Sequence, residues 1–104
     1  MAEAILYENR GRVAVVTINR PESRNAINSA VREGLAAAWE RFAKDDSARV
    51  AILTGAGDKA FCAGADLKEM ASRKLGQLPR NFLPTLNVNV HVAKPVIAAV
   101  NGVA

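Results

Sequence analysis

Apolar and polar positions follow two rhythms along the first half of the chain. Ala4-Ile5-Leu6-Tyr7-Glu8 and the stretch from Arg12 to Asn19 are apolar-rich runs parted by Asn9-Arg10-Gly11. They predict two strands of a hairpin with its turn at Asn9 to Gly11. In the second run Val13, Val15 and Thr17 point to one side, and Ala14, Val16 and Ile18 to the other. Both sets are nearly all apolar, so the pattern predicts a strand covered on both faces. The segment Arg20-Pro21-Glu22-Ser23-Arg24-Asn25 ends it, because Pro21 has no N–H to give a ladder. The rhythm then changes. From Asn28 or Ser29, either of which can cap a helix, Val31, Leu35, Ala38, Trp39 and Phe42 recur at spacings of three and four and form one apolar stripe. Arg32, Glu33, Glu40, Arg41 and Lys44 take the remaining positions, Trp39 falls in the core, and Asp45-Asp46-Ser47 closes the helix. Val50 to Thr54 is the next strand, with β-branched residues at positions 50, 52 and 54.

Strand, helix, strand in this order indicates an α/β layered fold. Downstream, Leu67 to Arg73 reads as a short helix. Lys74 to Pro84 is polar, contains Gly76, Pro79 and Pro84, and is expected to be mobile. Pro84 to Val92 reads as a helix opened by its proline, with Leu86, Val90 and His91 turned inward. Lys94-Pro95 stops it, Pro95 to Val100 reads as a buried strand, and Asn101-Gly102 turns. Residues 95–104 carry no charge, and the chain ends two residues after the turn glycine. Free termini are usually polar and frayed. The expectation is therefore that residues 1–104 are the front part of a longer protein.

Composition narrows the class. A chain of 104 residues, 50% of them apolar, holds one domain and not two. The net charge of +4 suits an anionic small molecule, but the charges are scattered. No Lys/Arg block forms a nucleic-acid arm, and five aromatics offer little for base stacking. The single cysteine, Cys62, rules out an internal disulfide and fits a reducing compartment. No uncharged apolar run approaches the roughly 20 residues of a membrane span. Met1-Ala2-Glu3-Ala4 lacks the basic-then-apolar order of a signal peptide. Cytoplasmic location is the expectation, with no nucleic-acid or membrane partner.

Three groups of residues could carry chemistry. Gly55-Ala56-Gly57-Asp58-Lys59-Ala60 fits the dinucleotide fingerprint and follows a strand. That fingerprint must open a helix and be followed about 20 residues later by an acid closing a strand, and neither is present. Cys62 and His91 could form a nucleophile–base pair, but no third orienting group is evident, and each also reads as an ordinary packed or surface residue. The third is Ala60-Phe61-Cys62-Ala63-Gly64-Ala65-Asp66-Leu67. Its small side chains would let a ligand approach backbone N–H groups closely; they equally suit a surface loop that merely bends.

A resemblance favours the first use of that loop. The run from Val13 to Asn28, the run from Val50 to Gly55 followed by Lys59 to Met70, and the run from Lys94 to Ala104 resemble, in order and spacing, the crotonase family of enoyl-CoA hydratases and isomerases. The resemblance implies an α/β, crotonase-like fold: a spiral of repeated β-β-α units, truncated here, with residues 1–104 as the N-terminal part of a crotonase-like domain and its C-terminal part absent. It implies an acyl-CoA thioester as partner, with coenzyme A belonging to the substrate and with no separate cofactor and no metal. It places the thioester oxygen between two backbone N–H groups, the first at Ala63. Gly64, Ala65, Asp66 and Leu67 then line the thioester and pantetheine path, Arg24 can face a phosphate, and Ala26 leaves room for adenine. It also implies homo-oligomers, trimers or hexamers, for the full-length family. The second donor and the glutamates that act as acid and base fall after Ala104; Glu22 and Glu69 match neither. Hydration of a 2-enoyl-CoA is the first reading of the reaction, isomerisation and other acyl-CoA chemistry remain open within the family, and a non-catalytic CoA-binding or interaction fragment is the alternative. The isolated chain is expected to be inactive.

Overall fold

The computed structural model describes residues 3–73, 83–87 and 90–104. Strands β1 (Ile5–Arg10), β2 (Val13–Ile18), β3 (Val50–Gly55) and β4 (Val96–Ala98) form one sheet in that spatial order, with helix α1 (Ser29–Lys44) between β2 and β3 and helix α2 (Leu67–Arg73) after β3. β1 pairs antiparallel with β2, while the β2–β3 and β3–β4 pairs are parallel. The α/β expectation holds.

The hairpin turn sits later than the residue types predict. Asn9 and Arg10 stay in the ladder, opposite Ala14 and Val13, and the loop is Gly11-Arg12. Gly11 has φ +61°, which glycine meets at no steric cost at the first position of a two-residue hairpin loop.

Helix α1 behaves as its stripe requires. Asn28 is the cap, its Oδ1 accepting from the Val31 N–H at 3.0 Å. Val31, Leu35, Ala38, Trp39 and Phe42 are all buried. They pack on Ala14, Val16 and Ile18 of β2, together with Ile5 and Ala51. Burying each large side chain of that stripe contributes about 2 kcal/mol. Gly34 lets the helix approach β1: a Cβ there would stand 2.6 Å from Ile5 Cγ1. The opposite face of β2 departs from expectation. Val13, Val15 and Thr17 are only half-buried, because α1 covers the Ala14 face alone.

Two further expectations are corrected. Pro84 to Val92 shows no helix at its described residues. Asn87 takes φ +61°, its side chain accepts from the Val92 N–H at 3.1 Å, and Leu86 and Val90 meet in an isolated bridge. A left-handed residue with local side-chain bonding ends helical continuation. Leu86 and Val90 are half-buried against the core, but His91 is exposed. The Pro95–Val100 strand shrinks to β4 and is not buried: Ile97 and Val100 are 56% and 57% exposed, because β4 lies at the edge of the sheet. The expected mobility of 74–84 falls almost wholly outside the described residues.

Candidate functional site

Two segments that leave the C-terminal ends of the parallel neighbours β2 and β3 meet beyond the sheet. The first leaves β2. Pro21 opens a short 3-10 turn through Ser23, and Arg24 and Asn25 follow with φ +54° and +58°. The second leaves β3, crosses Gly55 to Ala60, and enters the small-residue loop. Asn25 joins the two: its Nδ2 donates to the Ala56 and Ala60 carbonyls at 3.1 and 2.8 Å, and its Oδ1 accepts from Arg20 N at 2.9 Å. From the β4 side Asn101 holds the same loop, accepting from Gly55 N at 3.0 Å and donating to Gly57 O at 3.0 Å. Both approaches need small residues. A Cβ on Gly55 would stand 2.7 Å from Asn25 Nδ2, and one on Gly102 would stand 2.6 Å from Lys59 O.

The small-residue loop lies alongside the first segment through backbone bonds. Ala63 N donates to Arg24 O at 3.1 Å, Ile27 N to Gly64 O at 2.7 Å, and Asp66 N to Ile27 O at 2.8 Å. Gly64 makes this path possible with φ +93°. The pattern spends the Ala63 N–H on a protein carbonyl, contrary to its reading as a donor open to a ligand. Among the described residues the Ala65 N–H, two positions on, has no hydrogen-bond partner.

Asp66 ends the loop as the cap of α2, its Oδ1 accepting from Glu69 N at 3.1 Å and its Oδ2 pairing with Arg20 NH1 at 3.0 Å. The Glu69 amide and then the Arg20 guanidinium hold its carboxyl below the usual carboxylate range. Glu69 faces α1. Burial alone would raise its pKa, but the Ser29 amide, Arg32 and the Ser29 hydroxyl overcome that and lower it. Neither carboxylate is poised to take up a proton near neutrality.

Between the segments lies an open cleft of about 670 Å³. Of the residues expected at a site, Arg24, Ala26, Ala63, Ala65, Asp66 and Leu67 line it, while Gly64 supplies the bend behind them. Leu67 is 78% exposed there. Sequence reasoning missed Arg20, Glu22, Ser23 and Lys68 as lining residues. The Arg20–Asp66 pair is separated by 46 positions, and no spacing rule could join them. A smaller cavity of about 190 Å³, bounded by Pro21, Asn25, Gly57 and Lys59, lies on the other side of Arg24.

The competing readings fare poorly. Gly55 closes β3, residues 56–60 are a loop stapled by two asparagines, and the next helix begins only at Leu67. Cys62 is half-buried with its Sγ 3.5 Å from Gly64 N, His91 is exposed, and no hydrogen bond among the described residues links them.

A small-residue backbone loop laid against a basic turn on an α/β sheet has clear relatives. Residues 8–104 match the sequence profile of the enoyl-CoA hydratase/isomerase family, and the chain belongs to that family. It is 42% identical to the short-chain-enoyl-CoA hydratase of Clostridium acetobutylicum, with 96% of this chain and 40% of that protein covered. It is 41% identical to the 2,3-dehydroadipyl-CoA hydratase of Escherichia coli, with 100% and 40% covered. Among solved structures, a probable enoyl-CoA hydratase/isomerase from Mycobacterium abscessus superposes with a TM-score of 0.79 at 47% identity, over 98% of this chain and 39% of that one. A carnitinyl-CoA hydratase from Mycobacterium avium superposes with the same score at 40% identity, over 98% and 40%. The expected crotonase-like fold is met, and the chain spans about 40% of the length of the curated relatives it matches. No helix among the described residues is long and apolar enough to cross a membrane.

Proposed function

We propose that residues 1–104 form the front part of a crotonase-like domain that holds an acyl-CoA thioester in the cleft between Arg24 and Leu67. The reaction in this reading is hydration of a 2-enoyl-CoA, in fatty-acid or related acyl-CoA degradation. The observation that carries it is the Ala65 N–H, which has no partner among the described residues and belongs to a residue lining the cleft. As water adds to the β-carbon, negative charge collects on the thioester oxygen. A preset N–H aimed there stabilises the enolate by about 3–4 kcal/mol. The donor is assigned to Ala65 rather than Ala63, whose N–H serves Arg24 O. Arg24 is exposed at the mouth of the cleft and suits a phosphate, Ala26 leaves room for an adenine ring, and Ala65 to Leu67 flank the pantetheine arm. No metal or separate cofactor enters this scheme.

Asp66 and Glu69 are held by Arg20 and Arg32, so neither serves as acid or base. Those groups, and the second donor, come from sequence beyond position 104 in this scheme. The chain then binds its ligand without turning it over. A cytoplasmic homo-oligomer, a trimer or hexamer, is the setting proposed for the full-length protein. The pairing of Asp66 with Arg20 in this cleft also suits a second reading, a CoA-binding fragment with no catalytic role. Titration of the 104-residue chain with acetoacetyl-CoA tests the site: micromolar binding weakened by Arg24→Ala is expected, and no binding overturns it. Hydration of crotonyl-CoA above the uncatalysed rate by this chain alone would refute the assignment of the acid and base to residues outside it.

A further inference from the structure

Asn25 is the buried polar side chain among the described residues, with no exposed surface, and the scheme above gives it no task. Its three side-chain hydrogen bonds reach Arg20 N, Ala56 O and Ala60 O, so one amide fixes the turn after β2 against the loop after β3. Its backbone N–H donates to Arg20 O at 2.8 Å, which closes the turn from the other side. Asn25 and Arg24 are consecutive non-glycine residues in left-handed backbone, a strained pair that persists only where its surroundings impose it. The Asn25 amide is that imposition. Arg24 O meanwhile accepts from Ala63 N. The backbone bearing the Arg24 side chain is thus referenced to both loops, and that side chain stands between the large cleft and the 190 Å³ cavity.

We propose that Asn25 is a positioning residue that aims the Arg24 guanidinium at a phosphate of the bound ligand. Asn25 does not touch the ligand; it acts through Arg24. This rests on the reading of the cleft as a CoA-thioester site, and the experiment separates the two. A residue that only held loops together would affect every ligand of the cleft alike. A residue acting through Arg24 affects only ligands that carry the phosphates.

The 104-residue chain is titrated with acetyl-CoA and with acetyl-pantetheine, which keeps the thioester arm but lacks the nucleotide phosphates. Asn25→Gly retains the backbone freedom and deletes the amide. Asn25→Asp keeps the size and the acceptor for Arg20 N but cannot donate to the two carbonyls. Either variant is expected to weaken acetyl-CoA roughly tenfold, the scale of one charge-assisted contact, while acetyl-pantetheine changes by less than about twofold. In an Arg24→Ala background the Asn25 substitution adds no further loss, as residues acting in series require. Equal loss for both ligands, or full additivity with Arg24→Ala, overturns the proposal while leaving the cleft assignment standing. Failure of the unsubstituted chain to bind either ligand overturns both. If neither variant melts cooperatively, nuclear magnetic resonance of the unsubstituted chain decides. The Asn25 side-chain amide and Arg24 Nε–H signals should shift together with acetyl-CoA and stay still with acetyl-pantetheine; independent movement refutes the coupling.

Discussion

Lys94 Nζ lies 2.7 Å from Phe42 O, within the last turn of α1, although 52 positions separate the two residues. The same ammonium donates to Asp45 O at 2.7 Å and Ala48 O at 2.9 Å, and stands 4.7 Å from the centre of the Phe42 ring. A helix C-terminus leaves carbonyls without partners and carries partial negative charge. Lys94 sets a positive charge against that end and adds a second donor to Phe42 O and Asp45 O, and because Pro95 and β4 follow it directly, it fixes where β4 docks on β3. Replacing it by Met keeps the stem but removes the charge from all three carbonyls: Phe42 O and Asp45 O keep the Asp45 and Ala48 N–H groups at 3.1 Å each, and Ala48 O loses its donor. Lys94→Met is expected to cost about 2–3 kcal/mol, the scale of hydrogen bonds to a charged group. Urea unfolding measures this, and a midpoint unchanged from the parent would contradict it.

Gly55 and Gly64 separate two reasons for glycine. At Gly55 an added Cβ would stand 2.5 Å from Phe61 O and 2.8 Å from Ala60 O, both backbone atoms. Gly55→Ala should destabilise the fold by about 1–3 kcal/mol, as overpacking does. At Gly64 nothing lies within 4 Å of the added atom, but φ is +93°. Gly64→Ala should cost about 1–2 kcal/mol through backbone strain alone, and D-alanine at position 64, introduced by semisynthesis, should restore stability there but not at position 55. Equal rescue at both positions would undo the distinction.

The carboxylates predict acid lability with a definite sign. Asp66 and Glu69 have pKa values lowered in the fold, so their contribution is present above the unfolded values, near 4, and is lost as pH falls through the folded ones. The urea midpoint should decline below about pH 4, and less so in Asp66→Asn. An unchanged pH profile in that variant would count against the Arg20–Asp66 pair. Tyr7 marks the alkaline limb. Burial, then its hydrogen bond to Asp45, pushes the phenol up to about 12. Its contribution is present below the unfolded value, near 10, and is lost as pH rises through about 12. As the chain has one tyrosine, ultraviolet titration reads Tyr7 directly, and a midpoint near 10 would refute the buried contact.

The edge at β4 predicts association. Ile97, Val100 and Val103 are 56%, 57% and 68% exposed on an uncharged stretch, whereas the other edge, β1, carries the exposed Glu8–Arg10 pair. Unprotected apolar edges seek strands. Sedimentation velocity should show concentration-dependent association that Ile97→Lys reduces; a monomer independent of concentration would remove the edge as its cause.

What could be read in advance depended on how local the cause was. Helix α1 was legible because Val31 to Phe42 repeat within one element and Asn28 precedes them. The inward set Ala14, Val16 and Ile18 was legible because a strand alternates. The Ala60–Leu67 loop was found through its small side chains and its resemblance, but which of its amides is open was not. That depends on Arg24 O and Ile27 meeting the loop from 39 positions away in each case, Ala63 with Arg24 and Asp66 with Ile27. Asn25 looked like one more turn residue until its three partners were in place. The exposure of Ile97 was illegible for a related reason: an apolar run reads the same at the centre of a sheet and at its edge.

The Arg20–Asp66 and Asn25–Ala60 contacts also set an order in time. They span 46 and 35 positions, while the first turn of α1 needs only its own neighbours and Asn28. Such long closures must wait until the β2–β3 crossover is complete, since chain entropy opposes them until the sheet repays it. During refolding, helical signal should therefore return before the capacity to bind a ligand. Any partner recognising the cleft meets a surface that exists only in molecules that have already finished folding.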